Sequence, residues 1–342
     1  MILESIWFFL WGLLWAVFFM TDGMDFGVGS LYPYVGKTDA EKRAVINAIG
    51  PLWDGNEVWL ITAGGVTFAA FPKVYSVMFS ALYTPLMLIL FALIFRGVSF
   101  EFRGKIDNAL WKKVWDVCIF VGSFAPALLF GVAFANIFQG IPFDGQGLYH
   151  GNTLLLLNPY GLLGGALFVL LFLLHGANWL LIRSTGEVHS RALKAGKTSW
   201  LILLPVALLF LGASWFATDL YDNFLANPAL FAVILITVAA LLSARFFLTK
   251  ENYFKAWFAS AATIVGATFF GILGLFPALF PSSMDSAYTL MAFNSSSCPL
   301  TLKIMLGVVV VFIPIVIGYQ IFAYYLFRHK ITDRDLELEE AY

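Results

Sequence analysis

The sequence predicts an all-α integral membrane protein with nine transmembrane helices, and three observations support that fold class. Hydrophobic residues make up 61% of the 342 positions, charged residues only 12%, and mean hydropathy is +0.85. That composition leaves too little polar surface to cover a soluble globule. Windows of about 19 residues find nine apolar runs long enough for a bilayer. The basic residues also collect in alternate loops, as expected of a chain with one fixed membrane orientation.

In chain order the predicted spans are 5–25, 57–72, 75–98, 115–138, 159–182, 198–217, 229–248, 256–279 and 303–327. The first lacks a basic n-region and an A-x-A cleavage site, so it reads as a retained helix and not a signal peptide. The second is short, because Asp54, Asn56 and Glu57 hold its start in a polar string, and Gly64-Gly65 lies within it. The third follows directly and ends near Arg96. Small residues that allow close helix approach recur at Gly122 and Gly131 in the fourth, at Gly161, Gly164 and Gly165 in the fifth, and at Gly266, Gly271 and Gly274 in the eighth. Trp53, Trp59, Trp111, Trp115, Tyr324 and Tyr325 crowd the span ends as an interfacial aromatic belt.

Of the 20 Lys and Arg, 18 fall in the last turn of, or after, spans one, three, five, seven and nine, leaving only Lys73 and Lys303 for the other side. The positive-inside rule then puts the N-terminus outside and the C-terminus in the cytoplasm, which requires an odd number of crossings. The longest polar stretches, 139–158 and 280–302, become external loops, and residues 1–342 form a single polytopic membrane domain. The acidic tail Thr332 to Glu340 reads as a solvated cytoplasmic end. Cys118 and Cys298 are too sparse and too far apart in topology for a disulfide framework or a metal site.

Acidic side chains inside this apolar frame are the candidate functional residues. A charge at the centre of a membrane helix costs about 2.5–3.5 kcal/mol on insertion scales, so it persists where a partner, a water file or a moving proton compensates it. Asp54 and Glu57 enter the second helix, and Thr21-Asp22-Gly23-Met24-Asp25 closes the first, so two neighbouring helices bring acids to one membrane side. Asp25, Asp54 and Glu57, with Asn56 and Trp53 among them, suit a proton or cation route, since carboxylates, amides and water pass protons by hydrogen-bond exchange. The competing explanation is that Asp54 and Glu57 cap the second helix, where negative charge is favourable.

Arg96 and Glu101 are expected to pair with those carboxylates or with one another as an interfacial ion pair, and Asp116 to complement the dipole of the fourth helix. His175, the single histidine inside a span, invites haem ligation. An axial pair needs a second ligand on a facing helix, and no second buried His is available, so a hydrogen-bonded packing role is preferred. Asp25-Phe26-Gly27 matches a kinase string without the strand and loop a kinase requires. No phosphate-cradling loop, nucleophilic triad or basic patch for nucleic acid is present.

Taken together, TDGMDFGVG (21–29), PLWDGNEVWLITAGG (51–65), FRGVSFEFR (95–103), GSFAPALLFGVAFAN (122–136), NPYGLLGG (158–165), RSTGE (183–187), FPSS (280–283) and LTLKIM (300–305) resemble subunit II of the cytochrome bd-type quinol oxidases of bacteria and archaea. These motifs run from the first helix to the last. The resemblance implies two four-helix bundles plus one peripheral helix, in the cytoplasmic membrane, paired with a homologous subunit I. It implies that subunit I binds the quinol and carries two b-type haems and haem d, that this chain binds no haem, and that the complex builds a proton gradient without pumping. By the same resemblance Asp54 is the proton-path aspartate of the WDGN motif, and Asp25 belongs to the same hydrophilic region or to a bound cation. A structural quinone and a small single-helix accessory subunit are further implied possibilities. The alternative from another class is a proton-coupled secondary transporter, which should show inverted repeats of equal helix number; nine spans fit that poorly.

Overall fold

The computed structural model describes residues 1–336, and among them the chain is almost wholly helical. The helices are α1 (Ile2–Val35), α2 (Asp39–Ile49), α3 (Trp53–Ala70), α4 (Pro72–Ala81), α5 (Tyr83–Phe102), α6 (Ala109–Gln139), α7 (Pro159–Arg183), α8 (Gly186–Ala217), α9 (Leu220–Ala226), α10 (Phe231–Thr249), α11 (Tyr253–Leu275), α12 (Ala292–Ser295), α13 (Pro299–Leu326) and α14 (Asp333–Leu336). Eight of these are long and apolar enough to cross a bilayer: α1, α5, α6, α7, α8, α10, α11 and α13. The expected second span forms as α3, an 18-residue helix that stands outside those eight because its N-terminal end carries Asp54, Asn56 and Glu57.

Three expected boundaries are corrected, the simplest being the sixth span, which begins not at residue 198 but at Gly186 as α8. The run 75–98 is not one helix: it divides at Leu82 into α4 and α5. Pro85 supplies the reason, since proline has no N–H to offer the carbonyl four residues back, that of Ala81. The first helix does not stop at residue 25 but continues to Val35, so Asp22 and Asp25 sit inside it, with roughly 15 Å of helix beyond Asp25 at 1.5 Å per residue. The loop expected after it instead contains α2, opened by a capping box. The Thr38 hydroxyl accepts from the Glu41 N–H, and the Glu41 carboxylate accepts from the Thr38 N–H.

α1 and α7 form the centre. α1 touches α3, α6, α7 and α11, while α7 touches α6, α8 and α11 as well, and 72% of its most apolar window is buried. α5 and α6 pack on one flank, α10 and α11 on the other. The closest approach joins α1 to α7 at Gly27 and Gly176, where a β-carbon on Gly27 would come within 1.8 Å of the Phe172 carbonyl oxygen. Gly64 and Gly65 were expected at such a contact, yet a β-carbon on Gly65 would meet nothing within 4 Å and one on Gly64 only Phe79 at 3.9 Å. α13 lies at the rim, with 6% of its window buried.

At one end of the bundle a short antiparallel pair, β1 (Ala278–Phe280) and β2 (Leu290–Met291), closes the long loop after α11 on itself, and the Ile141–Ser282 bridge ties that loop to the one after α6. At the other end the segment after α13 folds back. Ile331 donates its N–H to the Arg183 carbonyl at 2.8 Å, and Leu336 is buried, its carbonyl accepting from Arg43 at 2.5 Å. The tail is therefore docked as far as Leu336, contrary to a simple solvated end; Glu337 to Glu340 lie outside the described residues.

Candidate functional site

α1 presents Asp22 and Asp25 one turn apart, both fully buried. Side chains three residues apart share a helix face, and this face meets α3 and α5. Arg96 of α5, also fully buried, donates to Asp22 Oδ1 at 2.8 Å and to Glu57 Oε2 at 3.1 Å. Its guanidinium lies 4.5 Å from the centre of the Phe26 ring, which adds a cation–π contact. Arg96 is thus not interfacial and does not pair with Glu101, which is exposed. The buried cation instead compensates acids from two other helices.

Asn56 completes the cluster. Its side-chain N–H donates to Asp25 Oδ2 at 2.8 Å, while its Oδ1 accepts from Tyr324 at 3.0 Å and from Gln320 at 3.2 Å, both on α13. Gln320 also accepts the Trp59 indole N–H at 2.9 Å. Four buried atoms of this cluster have no partner among the described residues: Asp22 Oδ2, Asp25 Oδ1, and Nε and Nη1 of Arg96. Buried polar atoms are rarely left so, and water or a shared proton normally satisfies them.

The acids form a gradient of burial. Asp54 is exposed at the start of α3, its Oδ1 accepting from the N–H of Gly55 at 2.7 Å. Glu57, one turn on, is 22% exposed and touches Arg96; Asp22 beyond it is 0% exposed. Of the expected relay residues, Asn56 and Asp25 are in direct contact, Glu57 is linked through Arg96 to Asp22, one turn before Asp25 on α1, and Asp54 stands apart at the surface. Trp53 is half-buried and packs its ring on Phe100, seating the start of α3 against α5.

Three other residues differ from expectation or sharpen it. Asp116 does not serve the α6 dipole, because α6 begins seven residues earlier at Ala109. It accepts from Tyr32 at 2.5 Å, Arg103 at 2.6 Å and Lys42 at 2.7 Å, linking α1, α2 and the residue that follows α5 to α6. His175 has both ring nitrogens engaged, by Ser260 at 2.8 Å and the Met20 carbonyl at 3.0 Å, and its ring stacks on Trp257. An axial haem ligand needs a free nitrogen, so this residue does not fit that group. Among the described residues no three His, Cys, Asp or Glu are arranged to hold a metal ion, and the positive charge beside Asp25 comes from Arg96.

Sequence reasoning did not select Asp22 as the partner of Arg96, nor Gln320 and Tyr324. The signals were present: Asp22 and Asp25 share a helix face, and Gln320 is the single Asn or Gln in the stretch 299–326.

Comparison with known proteins places this geometry in context. The family model described as cytochrome bd terminal oxidase subunit II matches residues 3–327. The chain is 38% identical over 335 residues to the Bacillus subtilis protein named cytochrome bd ubiquinol oxidase subunit 2, covering 97% of this chain and 98% of that one. It is 35% identical over 373 residues to the Escherichia coli cytochrome bd-I ubiquinol oxidase subunit 2, covering 98% and 97%. Among solved structures, a chain of the bd oxidase from Geobacillus thermodenitrificans shares the fold at a TM-score of 0.77 and 15% identity, over 95% of this chain and 97% of that one.

Proposed function

We propose that this chain, which belongs to the cytochrome bd terminal oxidase subunit II family, moves protons inward through the Asp54, Glu57, Asp22 and Asp25 series. It is a subunit of an oxygen-reducing quinol oxidase complex and pairs with subunit I. The single observation that carries the relay is the graded burial of those four acids along α3 and α1, joined at its centre by Arg96.

The chemistry follows from that arrangement. Asp54 meets solvent or the partner surface and captures a proton. Glu57 reaches from the half-exposed side of α3 to the guanidinium that also holds Asp22. The Asp22 and Asp25 carboxyls lie one turn apart on the same face of α1, and each keeps one buried oxygen without a partner. One proton held between them satisfies both oxygens, and releasing it onward restores the pair. Arg96 keeps the cluster from carrying several uncompensated negative charges in a low-dielectric bundle.

Electron transfer and oxygen reduction belong to haem groups carried by the partner, two b-type and one d-type in this reading. The engagement of both His175 nitrogens supports a haem-free role for this chain. Nine crossings follow if α3 spans with the eight longer helices, giving two four-helix bundles with α13 as the peripheral helix. The clustering of Asp39, Lys42, Arg103 and Lys112 at one end of the fold supports that end as cytoplasmic, with the N-terminus outside. An accessory single-helix subunit and a structural quinone are compatible with the lipid-facing rim. A proton-coupled transporter is set aside, since relatives matching nearly the whole chain are named as oxidase subunits.

Asp54→Asn tests the relay. In the assembled complex, with unchanged haem absorbance, the variant is expected to consume oxygen several-fold more slowly. Wild-type turnover in that preparation removes Asp54 from the route.

A further inference from the structure

We propose that Gln320 and Tyr324 of α13, together with Trp59, are positioning residues that fix the polarity of the Asn56 amide, so that its N–H and not its carbonyl faces Asp25. The inference rests on the relay reading above and adds a control element that lies outside the acidic series.

An amide side chain can present either end, and only its partners decide which. Here the decision begins at an obligate donor. The Trp59 indole can only donate, and it lies 2.9 Å from Gln320 Oε1, which directs the Gln320 amino group the other way. That group lies 3.2 Å from Asn56 Oδ1 and 3.4 Å from the Gly55 carbonyl. The Tyr324 hydroxyl donates to the same Asn56 oxygen at 3.0 Å. With two donors on its oxygen, Asn56 must turn its amino group to Asp25 Oδ2, at 2.8 Å. Reversal would set N–H against N–H on one side and a carbonyl oxygen against a carboxylate on the other.

The helix supplying two of these three groups is weakly packed. Only 6% of the α13 window is buried, and Gln320 and Tyr324 supply its hydrogen bonds to α3. A rim helix thereby determines what a buried carboxylate inside the bundle sees. The charged and titratable groups acting on Asp25 are Asp22 of its own helix, Glu57 of α3, Arg96 of α5 and Tyr324 of α13. From α7, His175 reaches the Met20 carbonyl, and from α6, Asp116 reaches Tyr32 at the far end of α1. Apart from Tyr324, none of these depends on α13 for its contact.

A donated N–H favours the ionised carboxylate; freeing Asn56 to rotate removes that preference. The test uses the purified oxidase complex, checked for assembly by haem absorbance, and follows by infrared spectroscopy the protonated-carboxyl band that Asp25→Asn abolishes. Gln320→Met/Tyr324→Phe is expected to raise the midpoint of that band by about one pH unit, the loss expected for one charge-assisted hydrogen bond. The pH profile of oxygen consumption should move in the same direction. An unchanged midpoint overturns the positioning role. Should the double variant fail to assemble, Tyr324→Phe, which deletes a single oxygen, must shift the band the same way by a smaller amount, and no shift overturns the proposal equally. If Asp25→Asn itself turns over at the wild-type rate, the relay reading fails; if it is slow while the midpoint stays fixed, only the positioning role fails.

Discussion

Replacing Arg96 with methionine should damage this protein more than any other single charge change. The guanidinium is completely buried, holds Asp22 at 2.8 Å and Glu57 at 3.1 Å, and covers the Phe26 ring at 4.5 Å. Methionine fills similar space but leaves Asp22 as a buried anion without its cation. Removing one partner of a buried pair costs about 3–5 kcal/mol, because the remaining charge stays desolvated. Asp22→Asn keeps an acceptor for Arg96 and should cost about 1–2 kcal/mol, in the range of a weakened hydrogen bond to a charged group. Combining the two removes the buried Arg96–Asp22 pair and leaves Glu57, which is 22% exposed and can be hydrated, and Asp25, which keeps its hydrogen bond from Asn56. Arg96→Met/Asp22→Asn should therefore lose less than the sum of its parents, by at least about 1 kcal/mol of coupling. The assay is thermal inactivation of the detergent-solubilised complex, followed by loss of haem absorbance and converted to relative stability. A wild-type midpoint for Arg96→Met, or strict additivity in the double variant, would refute the idea that this cation compensates the acids.

Two further outcomes separate packing from electrostatics. Gly27→Ala should prevent assembly, since its β-carbon would lie 1.8 Å from the Phe172 carbonyl oxygen, whereas Gly65→Ala, with nothing within 4 Å, should change stability by less than about 0.5 kcal/mol; complex yield after membrane extraction distinguishes them. Glu41, outside the membrane-spanning segments, is pulled from its ordinary 4.5 to about 2, chiefly by the hydrogen bond from Arg191, with burial opposing and the Thr38 and Lys37 N–H groups assisting. A depressed carboxylate stabilises the fold fully above 4.5 and loses that contribution as pH falls toward 2. Wild-type stability should therefore drop between pH 4.5 and 2 by more than that of Glu41→Gln, by a few tenths to about 1 kcal/mol for an ion pair near solvent, measured by acid-induced unfolding.

The spans were legible because bilayer thickness sets helix length and apolar composition marks each run. The places where the boundaries slipped have local causes. Pro85 divided a run that looked continuous, and Asp22 and Asp25 ended the predicted first helix although Arg96 pairs with Asp22 and Asn56 donates to Asp25 within it. The capping box of Thr38 and Glu41 specified α2 in a segment read as a loop. At the site, the residue types were readable but their partners were not. Asp116 sits near the start of an apolar run, which suggests a dipole role, yet its three donors come from α1, α2 and the residue just after α5, separated from it by up to 84 positions. Gln320 is 264 positions from Asn56, a distance at which a single sequence gives the residue but not the contact.

Proton uptake from solution during a single oxygen pulse bears most directly on the central claim. In the vesicle-reconstituted complex, Asp25→Asn with normal haem absorbance should take up protons at least about tenfold more slowly than wild type, a barrier increase of about 1.4 kcal/mol or more. Uptake at the wild-type rate in that variant would mean that protons reach the oxygen-reducing site without passing the buried acids of this chain.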